Sequence, residues 1–292
     1  MTTTTAHRSD ILPFEAGAPS AHAGLTVVPL FPREQPLLDY LGLGEAVAGG
    51  LSVREVNDAG SVNGLVVENP LDAHVLLYEG EELVGAKQNR VVRRTALVGA
   101  RSSAALPVDC VERGRWAYRT PRFQPADRVA YPEQRKLRHS GAGQQEVWAN
   151  VASKAERHQA VSPTDAQEEI YVKRAGSIDE YLVALPRAEG QCGVLVGIGG
   201  ELVCLDYVSR SDVFAGLYAK LLRGYALDAL ERPLPKALAQ EAVEAFLTRL
   251  GRTRRHLAAA VALGSESRLR GRILGSELAA HGELVAMTAF PA

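Results

Sequence analysis

Apolar residues in the first 118 positions come in short blocks: 26–31, 51–56, 64–68, 73–78, 90–98 and 103–111. Asn57-Asp58, Asn69-Pro70 and Gly99 separate them. Blocks this short, bounded by turn residues, predict β-strands, and their spacing of about ten residues predicts an antiparallel sheet or sandwich rather than βαβ units. A short helix is expected within 39–48, stopped by Gly49-Gly50. After a Pro- and Arg-rich connector over roughly 119–139, the period becomes helical. Val147, Trp148, Val151 and Ala155 share one helical face. Ser162-Pro163 is expected to open another helix, and Ser177-Ile-Asp-Glu180 reads as a capping box. Residues 194–207 read as a hairpin turning at Gly199-Gly200, which would set Cys204 opposite Leu195. Phe214, Leu217, Tyr218, Leu221, Leu222 and Tyr225 trace a strong amphipathic helix, and Val243, Phe246, Leu247 and Leu250 another. Residues 268–290 predict a last strand pair around His281-Gly282. The expected fold is α+β, with an antiparallel β-sheet or sandwich in the N-terminal half packed against a helix-rich C-terminal half containing β-hairpins. Residues 1–23 are expected to be a flexible tail. Residues 24–292 are expected to form one compact domain, β-rich over 25–118 and helical with hairpins over 140–290.

Composition narrows the class. With 292 residues, 46% hydrophobic and 23% charged, the chain is long and apolar enough for a sizeable core. Disulfide miniproteins, collagen-like repeats and charged disordered chains are excluded. Three cysteines, Cys110, Cys192 and Cys204, lack CxxC spacing and suggest reduced thiols in a cytoplasmic protein. No secretory signal pattern and no membrane-spanning apolar stretch is visible, so no membrane partner is expected.

The net charge of -1 conceals a pattern. Residues 1–86 carry three positive and twelve negative side chains, while 87–138 carry thirteen positive and four negative. Residues 249–272 form a second basic block, with seven positive and one negative. Such blocks either pair with acidic neighbours in the fold or present a surface for phosphate or another anion.

Candidate chemistry concentrates where the sign changes. Gly80-Glu-Glu-Leu-Val-Gly-Ala-Lys-Gln-Asn-Arg90 lies between apolar runs and reads as a strand-connecting loop or hairpin. Lys87 and Arg90 offer charge, and Gln88 and Asn89 offer paired donors and acceptors. Glu81 and Glu82 are candidates for acid, base or metal ligand. In Cys110-Val-Glu-Arg-Gly-Arg-Trp116, Arg113 and Arg115 suit phosphate or carboxylate, and Trp116 suits stacking or core filling. Cys110 has no adjacent His to activate it and reads as a buried thiol. From Lys87 to Arg138, basic residues alternate with Trp116, Tyr118, Phe123 and Tyr131, a composition seen in single-strand nucleic-acid platforms. Gly197-Ile-Gly-Gly200 is followed by a strand and reads as a hairpin turn, and Asp206 as a cap or buried anchor. The scattered histidines show no metal-binding spacing, and neither a nucleophile elbow nor a P-loop is present, so neither metal nor cofactor is assigned.

The 80–90 motif, followed by Pro107-Val-Asp-Cys-Val-Glu-Arg-Gly-Arg-Trp116, resembles the ADP-ribosylglycohydrolase and rhodanese-phosphatase-superfamily-associated protein domain. This is a mostly bacterial family of unknown function. The resemblance spans about 25–290 and includes Leu205-Asp206, Tyr225-Ala-Leu-Asp-Ala229 and Thr288-Ala-Phe290. It implies an association with enzymes that process ADP-ribose and NAD derivatives. It marks Glu81, Glu82, Lys87, Gln88, Asn89, Arg90, Cys110, Glu112, Arg115 and Trp116 as motif positions.

Three readings follow. In the first, the protein binds or processes a nucleotide or ribose-phosphate ligand linked to NAD or ADP-ribose. Lys87, Arg90 and Arg115 then hold phosphate, Gln88 and Asn89 read hydroxyls or a base edge, Trp116 stacks, and Glu81 or Glu82 is the catalytic acid or base. In the second, a non-catalytic module binds nucleic acid or an acidic partner through the basic 87–138 block. In the third, the motif charges pair with one another inside the fold.

Overall fold

The short apolar runs of the N-terminal part do fold as strands, and they do so in more than one sheet. The structure is a computed structural model describing residues 12–232 and 234–292. Its first strands are β1 (Phe14–Ala16), β2 (Ser20–His22), β3 (Leu25–Pro32) and β4 (Tyr40–Gly42), followed by helix α1 (Leu43–Ala48). Then come β5 (Ser52–Glu55), β6 (Gly64–Asn69), β7 (His74–Leu77), β8 (Glu81–Gly85), β9 (Arg90–Val92), β10 (Ala96–Val98), β11 (Ser102–Cys110) and β12 (Phe123–Val129). Helices α2 (Pro132–His139), α3 (Gln144–Arg157) and α4 (Glu168–Ala184) lead to the hairpin β13 (Gly193–Ile198) and β14 (Glu201–Val208). Helices α5 (Ser211–Ala229) and α6 (Gln240–Arg252) precede β15 (Arg255–Ala258), β16 (Ser265–Leu269), β17 (Ile273–Ala280) and β18 (Glu283–Pro291).

The fold is mixed α and β with antiparallel sheets apart from the parallel β4–β7 pair, and strands are not confined to the N-terminal half. A nine-stranded sheet runs β1-β3-β13-β14-β18-β17-β16-β15, with β2 also on β3, so both ends of the chain build it. A six-stranded sheet runs β12-β8-β9-β11-β6-β5, and a three-stranded one β10-β7-β4. Strands β1 and β2 fall within the expected tail. They are held because both pair with β3 and the buried Phe14 ring packs 4.9 Å from that of Tyr207. The remainder of the expected tail, 1–11, lies outside the described residues.

The central strand β13 shows how the layers are held. All six of its residues are buried. Val194, Val196 and Ile198 join the cluster that holds Phe214, Leu221, Leu222 and Tyr225 of α5, and Leu195 joins the one that holds Val243, Phe246 and Leu250 of α6. Alternate side chains of one strand thus face helices on opposite sides, the pattern of a sheet covered on both faces. A third cluster fills the space between the two smaller sheets and α1.

Several local expectations give way to tertiary context. Ser177 lies inside α4 rather than at its start. The Ser162 hydroxyl accepts from the Thr164 and Ala166 amides, closing a turn instead of opening a helix. A bulge between Val196 and Gly197 shifts the hairpin register, so Cys204 faces Val196. The expected connector contains both β12 and α2. All three cysteines are free and buried.

Helix α2 meets α3 and α5 around one buried ammonium. Lys154 Nζ lies 2.7 Å from Asp228 Oδ1 and 2.9 Å from both Glu133 Oε2 and Glu231 Oε1. Burial pushes the Glu231 carboxyl up, but its contacts with His158, Lys154 and Arg157 outweigh this and hold it at about 2. That contribution to stability is complete above the unfolded carboxyl's ordinary value and is lost as pH falls through about 2. Glu231→Gln is therefore expected to lower urea stability at pH 7, with the gap to the parent narrowing between about pH 4.5 and 2.

Helix α5 offers a paired test of packing against propensity. A methyl group on Gly224 would sit 2.8 Å from the Val129 carbonyl oxygen, whereas one on Gly216 would meet nothing within 4 Å. Gly216→Ala is expected to stabilise by about 0.5–1 kcal/mol. Gly224→Ala, equally favoured by propensity, is expected to lower the melting temperature. Thermal denaturation of both variants checks the contrast.

Candidate functional site

The 80–90 motif is a buried hairpin rather than a solvated one. β8 and β9 pair antiparallel, β9 pairs with β11 (Arg90 opposite Cys110), and every residue from Gly80 to Arg90 except Val84 is buried. The two motifs therefore lie on neighbouring strands, and their side chains largely satisfy one another.

Glu81 accepts from the Tyr78 amide (2.9 Å) and from Lys220 Nζ (2.8 Å). Glu82 accepts from Arg128 Nε (2.8 Å) and Nη2 (3.1 Å) and from Gln167 Nε2 (3.1 Å). Burial acts against the Arg128 charge, but Glu82 and Glu168 outweigh it and hold the guanidinium above its ordinary range. Glu112 Oε2 accepts from Arg115 Nη2 (2.6 Å) and the Asn89 amide (3.0 Å), and its Oε1 from the Thr164 hydroxyl (2.9 Å). Burial raises the Glu112 carboxyl, yet these donors more than offset it and hold it below the usual range. Arg115 also donates to the carbonyls of Ala86 (2.6 Å) and Ala117 (2.8 Å) and to Asn89 Oδ1 (3.2 Å).

Gln88 Oε1 accepts from Arg90 Nη1 (2.8 Å) and from the Cys110 thiol (3.1 Å). Burial pushes that thiol up, away from a reactive thiolate. Arg90 is fully buried without an ion pair among the described residues, and burial lowers its pKa. Lys87 Nζ donates to the carbonyls of Asp58 (2.5 Å) and Ala59 (3.0 Å) and sits 5.4 Å from the Trp116 ring and 5.1 Å from that of Tyr118. Trp116 remains 46% exposed. The structure thus gathers Lys87, Gln88, Asn89, Arg90, Arg115 and Trp116 into one region and turns Glu81 and Glu82 to other partners.

An open cleft lies elsewhere, where β16 and β17 of the large sheet approach the β9–β10 link and the end of α2. It measures about 640 Å³ and is lined by Arg93, Arg94, Arg138, Arg268, Arg270 and His139, with Glu266 as its lining carboxylate. None of the eight expected site residues lines it or the smaller cavity beside it. Arg94 Nε donates to Glu266 Oε2 (2.9 Å) and Arg268 Nε to Glu266 Oε1 (3.2 Å). Arg93 Nη2 donates to Asp109 Oδ1 (2.7 Å), and Arg138 Nε lies 2.9 Å from Asp109 Oδ2. Arg270 has no ion pair or hydrogen bond among the described residues. Four guanidinium groups thus share two carboxylates and Arg270 adds a fifth, leaving an excess of positive charge at an accessible surface. A second cleft of about 440 Å³ has the opposite character, lined by Glu133, Glu201, Asp228 and Glu231 beside Lys136 and Arg232. Among the described residues, no group of three or more His, Cys, Asp or Glu side chains could hold a metal ion. No described helix is long and apolar enough to cross a membrane.

The arginines of the large cleft come from both basic blocks of the sequence. Counting charge found the blocks, but nothing in the sequence placed 93–94 and 138 beside 268–270. Comparison with protein families matches residues 13–290 to one model. The chain belongs to the family of the ARG and Rhodanese-Phosphatase-superfamily-associated Protein domain. Neither the curated proteins nor the solved structures contain a match. In this family member, the buried polar groups of the 80–90 and 107–116 motifs are met largely by one another and by neighbouring segments.

The Glu112–Arg115 pair tests that description. Arg115→Ala would leave Glu112 buried without its main counter-charge, and a loss of about 3–5 kcal/mol is expected from chemical denaturation. Restoring much of it with Glu112→Gln in the same chain would show that the unpaired carboxylate is the cause.

Proposed function

We propose that the protein binds a nucleotide or ribose-phosphate ligand linked to NAD or ADP-ribose, and that the arginine cleft receives its phosphates. The carrying observation is the meeting of the two basic blocks at one open cleft of about 640 Å³. Guanidinium groups offer forked donors that match phosphate oxygens, and their excess over carboxylates favours an anion. The volume suits a small molecule, since ligand sites occupy roughly 300–1,000 Å³. The family's association with ADP-ribosylglycohydrolases is consistent with this class of ligand. In this reading the residues first expected to touch the ligand, Lys87, Gln88, Asn89, Arg90, Arg115 and Trp116, brace β9, which leads into Arg93, and β11, which carries Asp109. Glu81 and Glu82 anchor the same hairpin.

One observation favours a second reading. Trp116 and Tyr118 are 46% and 50% exposed beside Lys87, an arrangement suited to stacking on single-stranded nucleic acid or to meeting an acidic partner.

Calorimetry with ADP-ribose, NAD and ribose 5-phosphate separates the two. Arg268→Glu and Arg270→Glu, both exposed, are expected to weaken ADP-ribose binding about tenfold or more, equivalent to ~1.4 kcal/mol, while Trp116→Ala leaves it unchanged. Absence of binding to all three compounds by folded protein would remove the ligand reading. Binding of an oligonucleotide that weakens steeply with salt and is lost in Trp116→Ala would establish the second.

A further inference from the structure

We infer that His139, oriented by Glu79, is the general base of a hydrolytic reaction at phosphorus in the arginine cleft, an inference that rests on the ligand reading above. His139 is the last residue of α2 and lines the cleft. Its Nε2 lies 2.8 Å from Glu79 Oε1. An ionised carboxylate accepts only, so the imidazole donates through Nε2, and in its neutral form Nδ1 keeps the lone pair a base needs. Nδ1 makes no hydrogen bond among the described residues. Glu79 is buried (3% exposed), and its amide donates to the Thr95 hydroxyl (3.1 Å), which fixes the residue that aims the ring.

A second observation points to the same place. A small cavity adjoins the cleft, sharing Arg93 and Arg138 with it, and is lined by Glu79, Asp109 and Gln134. Gln134 is only 3% exposed, and neither atom of its amide has a hydrogen-bond partner among the described residues. Glu79 Oε2 is likewise buried and unpartnered. Buried polar atoms are rarely left unmet, and unpartnered groups at the wall of a recess this small suit one ordered water. Base, anion-binding arginines and a recess walled by unpartnered polar groups therefore adjoin one another.

The step balances without an external reductant or oxidant. His139 Nδ1 takes a proton from water as the water oxygen forms a bond to phosphorus. The bond from phosphorus to its ester or anhydride oxygen breaks, and that oxygen leaves with the electron pair. It then receives the proton back from His139. The arginines neutralise charge on the non-bridging oxygens. His139 is the catalytic residue and Glu79 a positioning residue.

The test incubates the full chain with ADP-ribose, p-nitrophenyl phosphate and bis(p-nitrophenyl) phosphate in ¹⁸O-labelled water, alongside calorimetry with ADP-ribose. Expected are ¹⁸O in a phosphate product, a loss of about 100-fold in His139→Ala with unchanged ADP-ribose affinity, and partial rescue of that variant by added imidazole. Glu79→Gln is expected to lower kcat with KM unchanged. His139→Gln serves if the alanine variant fails to fold. Binding of ADP-ribose with no ¹⁸O incorporation from any probe would overturn the inference and leave the ligand reading intact, as would full activity in the His139 variants. No binding of ADP-ribose would instead defeat the ligand reading, and this inference with it.

Discussion

A single buried ion pair ties the sheets, the helices and the cleft together. Arg135 meets Asp206 through two parallel hydrogen bonds of 2.6 and 2.7 Å, with both side chains essentially inaccessible. Removing two charges from water costs several kcal/mol each, repaid only when geometry is good and the remaining lone pairs are met. Here they are met: Asp206 also accepts from Tyr78 (2.7 Å), Tyr225 (2.5 Å) and Thr288 (3.0 Å). Burial pushes the Asp206 carboxyl up, and Arg135 with the tyrosine hydroxyls more than compensates, holding it below its ordinary range. The five residues come from β14, β18, α2, α5 and the end of the β7 segment, so one carboxylate fixes where these elements cross.

That crossing reaches the cleft through α2. Arg135 is one turn before Arg138 and His139, so anchoring its guanidinium fixes the end of the helix that lines the cleft. The Arg135 side chain also passes so close to Gly80 that a Cβ there would sit 2.5 Å from its Cδ. Gly80 has φ +89, which glycine adopts without strain. The first glycine of the 80–90 motif therefore serves the anchor, while its neighbour Glu79 holds His139.

The same physics explains what was legible in the sequence. Helix α5 was traceable because its buried residues are apolar at helical spacing. Helix α2 was not, because Pro-Glu-Gln-Arg-Lys-Leu-Arg-His buries Pro132, Gln134 and Arg135, and polar residues leave no hydrophobic period. Strand β12 carries Pro125 and charged residues, tolerated where the register with β8 breaks after Pro125. Ser177 looked like a cap because capping signals are local, whereas α4 is set by Ile170, Tyr171, Ile178 and Tyr181 packing on both sides of that point. Local pattern located most elements. It did not reveal which sheet each strand joins, since β3 pairs with β13 across more than 160 residues.

The candidate site divides in the same way. A motif of varied polar residues in one segment is conspicuous, but buried polar groups are driven to satisfy one another, and those between Glu79 and Trp116 largely do so. A binding surface needs the reverse: charges left in excess at an open face. Arg94 and Glu266, at 2.9 Å, are 172 positions apart, and the cleft brings 93–94 and 138–141 against 266–276. Its charge is visible in the sequence only as two basic blocks, and the excess at the cleft is what remains once Asp109 and Glu266 have been shared among four arginines and Arg270 has been added. The sign change between Ala86 and Lys87 thus marks mainly the charges that the fold consumes internally, and the functional question moves to the arginines it leaves over.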